Sequence, residues 1–445
     1  MAVPEIREVY EFGGFTLDVG ERRLSNAEGA IALAPKAFDL LVALVRRPGH
    51  LIGKQELLDI VWPDACVEEG ILAVHVSALR KALDDTSRPA RCIETVSRSG
   101  YRFIAPLLAV LPARPHSMPG FISARSGSHS SAEVYELCGR GRAHLASASA
   151  SEVPKAVAAF RAAVDLDSSY APALSGLALA HCAQASMRVA PPLEAYRDAK
   201  TAALRALAMD AESADAQVAL GSVLFFSEWD WPRAERSLRR ALELNPSHTQ
   251  GYLIYGRLLD ALGRPDEALQ IKSKALECDP LSPLVHVQMA LCYWNQRRYD
   301  DAIEWANKAL EIDPKHLLAR EFLIGAYMNK GDFDRYMSES RIHAESFGVS
   351  AETLRPIVDA YASGGWRGVG RCCLALGGGD RAPAFQVAVL SALAGDTESA
   401  FTFLDRAILA CDPSLVDLAV APQWDCLRSD PRFDACLARM GLRGV

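Results

Sequence analysis

The sequence predicts a mainly α-helical chain in which a small α+β domain precedes a long helical solenoid. Three observations carry that prediction. Strand-like runs, three amphipathic helices and a closing hairpin fill residues 1–107. A stretch rich in Pro, Ser and Gly, with no period, follows at 108–131. Beyond it, Ala-rich helices recur with a spacing of 34 residues.

YEFGGFTLDV and RRLSNAEGAIAL read as short strands turning at NAEG. Pro35, well suited to a first helical position, opens a helix whose Phe38, Leu41, Leu44 and Val45 share one face. PGH at 48–50 ends it. A second helix starts near Lys54, buries Leu57, Leu58 and Val61, and stops at Trp62-Pro63. The third, from about Glu68 to Leu83, places Leu72, Val76, Leu79 and Leu83 on one stripe. Ala73, Val74, Ser77, Arg80 and Lys81 are left on the opposite face. Two strands, at 92–96 and 101–104, are joined by Ser97-Arg98-Ser99-Gly100, with Tyr101 and Phe103 directed to the core. Strands, three helices and a terminal hairpin make a winged helix-turn-helix.

Residues 108–131 read as a flexible linker. In 132–345, Pro246, Pro280 and Pro314 are 34 residues apart, as are Ala234, Ala268 and Ala302, and Ala241, Ala275 and Ala309. ALELNP, ALECDP and ALEIDP are near copies of one helix end. Small residues recur where helices approach closely, and Pro where the next helix begins. That combination is the tetratricopeptide unit. Residues 346–445 read as further helical repeats and a cap, with 346–380 fitting the period poorly.

Composition narrows the function classes. A net charge of −7 does not suit non-specific coating of nucleic acid, so any DNA contact must be local. Basic residues gather at one end of the first domain, where Arg80, Lys81, Arg88, Arg91, Arg98 and Arg102 face only Asp84, Asp85 and Glu94. Eleven cysteines without C-x-x-C or zinc-ligand spacing suit a reducing cytosol. No signal peptide or membrane-length apolar run is visible, so a cytoplasmic protein is expected. P-loop, G-x-S-x-G and H-E-x-x-H patterns are missing, and neither a cofactor nor an enzymatic site is expected. GGWRGVGRCCLALGGGD at 364–380 does not follow a strand, and Cys372-Cys373 reads as two small helix residues.

The stretch LAPKAFDLLVALVRRPGHLIGKQELLDIVWPDACVEEGILAVHVSALRKAL, closing in IETVSRSGYRF, resembles the OmpR/PhoB-type winged-helix family, in particular its ToxR/CadC-like branch without a receiver domain. The resemblance covers roughly residues 10–105. It implies that the third helix enters the major groove and the wing meets the adjacent minor groove. By position, Ala73, His75, Ser77, Ala78, Arg80 and Lys81 then face DNA, with Arg98, Ser99 and Tyr101 in the wing and Lys54 and Trp62 at phosphates. Ala78 stands where several relatives carry a base-reading Arg, which leaves the operator unreadable. The loop from Trp62 to Glu69 resembles the family's RNA-polymerase-contacting loop, although a plain connector fits equally.

The expected function is therefore sequence-specific binding of double-stranded promoter DNA and control of transcription, with RNA polymerase as a partner and a homodimer on DNA. The solenoid is expected to take an unidentified protein or small-molecule effector on its inner face, at Arg257, Asp260, Trp294, Asn295 and Glu321. The alternative is a protein-interaction scaffold whose winged helix no longer binds DNA.

Overall fold

The computed structural model describes residues 8–20, 22–62, 70–85, 90–96, 99–111, 130–147, 149–377 and 382–442. The chain opens with a meander, β1 (Val9–Phe12), β2 (Phe15–Asp18), β3 (Arg23–Asn26) and β4 (Gly29–Ile31). Gly13 and Gly14, both at positive φ, close the first hairpin, where a Cβ would be strained. The helices α1 (Pro35–Val45), α2 (Lys54–Val61) and α3 (Gly70–Ala82) follow, with β5 (Leu51–Gly53) between the first two. The wing is the hairpin of β6 (Ile93–Val96) and β7 (Gly100–Phe103). β5 pairs with β7, and a side chain at Gly100 would run into the Ile52 carbonyl, so only glycine allows that approach.

The hydrophobic periodicity places α1 at the centre of this domain. Leu40, Leu41 and Leu44 are wholly buried against Leu57, Leu72, Leu79 and Phe103 in one apolar cluster. Each such side chain contributes about 1.5–3 kcal/mol by leaving water. β8 (Leu107–Leu111) pairs antiparallel with β1, completing a sheet ordered β4-β3-β2-β1-β8. The strand takes up the first residues of the stretch expected to be linker, because β1 offers an open edge to the returning chain. The remainder of that stretch up to residue 129 lies outside the described residues.

The solenoid begins with α4 (Ser130–Ala146), α5 (Val153–Leu166), α6 (Ala171–Ser186) and α7 (Pro192–Met209). Its most regular part pairs α8 (Ala214–Phe226) with α9 (Trp231–Leu244), α10 (Thr249–Ala261) with α11 (Pro265–Cys278), α12 (Pro283–Asn295) with α13 (Tyr299–Ile312), and α14 (Leu317–Lys330) with α15 (Phe333–Ser346). Ala234, Ala268 and Ala302 are fully enclosed at the helix crossings, as their spacing requires. The period also appears in the backbone: Trp229, Gly263, Arg297 and Gly331, 34 apart, all turn through positive φ after the first helix of their pair.

The poor fit of 346–380 has a local cause. A 3-10 turn (Ala351–Leu354) leads into α16 (Arg355–Gly377), two short helical segments broken at Gly365 (φ 57°, ψ −150°) and joined without the loop of a regular repeat; Gly368 lies against the Ala360 carbonyl across the break. α17 (Ala384–Ala394) and α18 (Thr397–Leu409) restore the hairpin, and α19 (Pro431–Arg439) caps the chain.

Between α18 and α19 the chain forms a strap over the inner side of the earlier repeats. Its turn Pro413–Asp417 touches α8 and α10. Leu415, Val416, Leu418 and Trp424 are completely buried, in the same cluster as Leu224, Leu258 and Leu259. Arg188 reaches Asp412 at 2.6 Å, Arg257 reaches Asp417 at 2.8 Å, and Arg297 binds the Val420 carbonyl at 2.7 Å and the Asp425 carboxylate. Trp231 Nε1 donates to the Met440 carbonyl at 2.7 Å.

Candidate nucleic-acid interface

The exposed stripe of α3 consists of Gly70, Ala73, Val74, Ser77, Ala78 and Lys81. It follows from the helical period, since Leu72, Val76 and Leu79 are drawn into the core on the other side. Val74 is 60% exposed, the most open large apolar side chain of the domain among the described residues. The stripe is shallow and nearly uncharged, with Lys81 its one cation.

Arg80 does not belong to this stripe. Its Nε and Nη2 donate to the Ile93 carbonyl at 3.2 and 2.7 Å, and Nη2 also reaches Thr95 Oγ1 at 2.7 Å. The side chain therefore ties α3 to the first strand of the wing. Asp85, just after α3, works at the same joint: its carboxylate accepts the backbone N–H groups of Arg91, Cys92 and Ile93 at 2.5, 2.9 and 2.9 Å. Burial opposes its charge, but those three donors, with Arg80 nearby, hold its carboxyl below the usual range. Together Arg80 and Asp85 tie α3 and the residues after it to the wing. Asp85 was not singled out from the sequence, since its partners are loop and strand amides that no pattern marks.

His75 and Trp62 are also displaced from their expected roles. His75 is 4% exposed and Trp62 8%, with ring centroids 5.3 Å apart. Burial, and secondarily Lys36, pushes the His75 imidazole below its ordinary pKa, and its Nε2 has no partner among the described residues. A neutral ring packed on an indole is a core contact, and neither residue presents a surface to a phosphate. Lys36 itself donates to the Val61 carbonyl at 2.7 Å and caps the end of α2.

Lys54 is the first residue of α2, half-buried, and its N–H donates to the Ser99 carbonyl at 3.2 Å. The start of α2 and the wing turn are thereby brought together, with Ser99 exposed. Arg98 and the whole loop 63–69 after Trp62 lie outside the described residues. Part of the basic end of the domain is internally compensated: Arg102 pairs with Glu94 at 2.9 Å, and Arg91 with Asp84 at 3.7 Å. Tyr101 and Phe103 are buried, as their alternation with Arg102 requires.

The five residues expected to line the solenoid groove are mostly engaged within the chain. Arg257 holds the strap through Asp417. Asp260 is buried in an ion pair with Lys272 and accepts the Cys292 thiol at 3.0 Å. Trp294 packs edge-on against Phe322 with ring centroids 6.0 Å apart. Asn295 is 7% exposed, and both its amide atoms lack partners among the described residues. Glu321 alone stays exposed, 3.4 Å from His343. Over α8 and α10 the inner face is covered by the chain's own strap and is not the open groove that repeat number alone suggests. No group of residues with metal-ligand geometry occurs among the described residues, nor a helix long and apolar enough to cross a membrane.

Comparison with known proteins agrees with this architecture. Residues 28–103 match the family "Transcriptional regulatory protein, C terminal", and residues 230–283 and 283–316 match tetratricopeptide repeat families. The transcriptional regulator HilA of Salmonella typhimurium is 35% identical over 113 residues, which are 25% of this chain and 20% of HilA. The phosphate regulon transcriptional regulatory protein PhoB of Klebsiella pneumoniae is 33% identical over 101 residues, 22% of this chain and 44% of PhoB. The chain thus spans less than half the length of these curated relatives. Among solved structures, the DNA-binding domain of E. coli CadC aligns at 27% identity over 24% of this chain and 98% of its own, with a TM-score of 0.21. A thermophilic tetratricopeptide protein of Thermus thermophilus aligns at 20% identity over 44% of this chain and 99% of its own, with a TM-score of 0.37. The chain therefore carries an N-terminal domain of the OmpR/PhoB-type transcriptional-regulator family, with tetratricopeptide repeats behind it.

Proposed function

We propose that the protein binds specific double-stranded DNA through α3 and the wing, and that it regulates transcription in the cytoplasm with the solenoid as a docking arm. The observation that supports this most is the exposed Ala73–Val74–Ser77–Ala78–Lys81 stripe, held beside the wing by Arg80 and Asp85. Its small side chains let the helix backbone come close to base edges, where Val74 and the alanines suit thymine methyl groups and Ser77 suits a polar edge. Lys81, Lys54 and Ser99 would position the domain on phosphates. RNA polymerase, a second protomer on tandem half-sites, and a protein or small-molecule effector are the partners this role calls for.

The shortage of long polar side chains on the stripe favours a second reading, a scaffold whose winged helix has lost DNA binding. Selection of bound sequences from a random duplex pool with the full chain separates the two. A recovered motif, bound at least about a thousandfold more tightly than random duplex, supports regulation. Recovery of unenriched sequence defeats it and leaves the scaffold.

A further inference from the structure

A cavity of about 190 Å³ lies where the winged domain meets the solenoid. One wall is apolar, built by Leu33, Pro35 and Phe38 at the start of α1. The opposite wall contains Arg142 of α4, the turn before α10, and Thr249 at the first position of that helix. The two domains are also joined outside the cavity: the Glu8 carboxylate accepts Arg46 Nε and Nη2, each at 2.7 Å, and the Tyr135 hydroxyl of α4 at 3.3 Å.

Three of the acceptors around the cavity already take hydrogen bonds from within the chain. His248 Nε2 lies 2.9 Å from Asp215 Oδ1, and His248 Nδ1 accepts the Gly251 N–H, so the ring bridges the carboxylate and the start of α10. Asn245 Oδ1 accepts the Ser247 N–H and hydroxyl at 3.0 and 2.7 Å. Arg22 is bound by Asp39 at 2.6 Å and by the Pro35 carbonyl. The groups left over all include donors. Arg142, half-buried, has no ion-pair partner among the described residues and acts on Asp215 only through its field. The Thr249 hydroxyl oxygen is buried without a partner among the described residues. The N-terminus of α10 adds the positive end of a thirteen-residue helix.

We propose that this cavity is a binding site for a small carboxylate with a short apolar body. The guanidinium of Arg142 takes the carboxylate in a planar, two-bond contact, the Thr249 hydroxyl and the helix terminus supply further donors, and Phe38 and Leu33 cover the apolar part. Such a ligand touches both domains at once. It therefore stabilises the docked arrangement, in which the α3 stripe remains exposed. Domain junctions are a common place for ligand sites of this kind. The site stands whether or not the domain binds DNA.

The test is thermal unfolding of the full chain with acetate, butyrate, benzoate or inorganic phosphate, at constant ionic strength against a chloride control. Butyrate or benzoate is expected to raise the midpoint by about 3–6 °C near saturation, and acetate by less. Arg142→Ala and Thr249→Val should each weaken the response at least tenfold in concentration, and Arg142→Lys should recover part of it. Midpoints without ligand show whether each variant folds. A response to phosphate alone overturns the carboxylate assignment. No response to any of the four anions, or an undiminished response in both variants, overturns the site. A chain that responds to benzoate yet selects no DNA sequence fails the proposed function and leaves this site standing.

Discussion

Arg80 and Lys81 are neighbours in sequence and both cationic, yet they should behave differently when removed. Arg80→Ala deletes three hydrogen bonds from a guanidinium to β6, at 3.2, 2.7 and 2.7 Å. Hydrogen bonds to a charged group contribute about 1.5–3 kcal/mol each when well enclosed. Two of these share one carbonyl, and the third is exposed, so about 2 kcal/mol for the set is a reasonable expectation. For a domain of this size that corresponds to a midpoint lower by roughly 8–16 °C. Lys81 is exposed on the stripe, and Lys81→Ala should change stability by less than about 0.5 kcal/mol. On a selected DNA duplex the order reverses in kind. Lys81→Ala should flatten the slope of log affinity against log salt by about 0.9, the signature of one lost phosphate contact. Arg80→Ala should weaken binding through a loosened wing, with the slope nearly unchanged. Urea unfolding and fluorescence anisotropy across salt concentrations measure both quantities. If Arg80→Ala leaves stability intact and flattens the salt slope, Arg80 is a phosphate contact and the tether described above does not hold in solution.

Three further outcomes follow from buried groups. His75 has a folded-state pKa below its ordinary 6.5, so the unfolded chain binds more protons in acid. Stability should fall as pH drops below 6.5 and level off once the folded-state pKa is passed; His75→Phe should flatten that dependence in urea titrations between about pH 7 and 5. Asp260→Ala leaves Lys272, fully enclosed, without its ionic partner and with only the Gln288 carbonyl to receive it, and should cost about 3–5 kcal/mol, whereas Asp260→Leu with Lys272→Met should recover most of it in thermal unfolding. Trp424→Ala should destabilise the repeats by about 3–5 kcal/mol, while Arg297→Ala at the half-exposed edge of the strap should cost about 1 kcal/mol or less. A Trp424→Ala variant within about 1 kcal/mol of the parent in urea would show that the strap is only loosely seated.

The architecture was legible because it is written in local periods. A 3.6-residue alternation marks α1 to α3, and a 34-residue spacing of Ala and Pro marks the hairpins α8–α9 to α12–α13, where close packing allows only small residues. The same periodicity separates Leu72, Val76 and Leu79 from Ala73, Val74, Ser77 and Lys81, so the open face of α3 could be read without coordinates. β8 was missed because its pairing depends on the free edge of β1, almost a hundred residues earlier.

What the tertiary structure alone decided is which side chains on a legible element remain available. Helical phase puts Arg80 near the surface, but its partner is the Ile93 carbonyl of a strand thirteen residues on, and a backbone oxygen leaves no trace in sequence. His75 and Trp62 look like contact candidates until α3 packs beside the end of α2 and sets one ring against the other. Arg257 has the spacing of a groove residue, yet Asp417, 160 residues away, occupies it. Periodicity is a property of one segment, and it determines where side chains point. Whether they meet solvent, a ligand or another part of the chain depends on contacts between distant segments, and those are set only when the whole chain has folded.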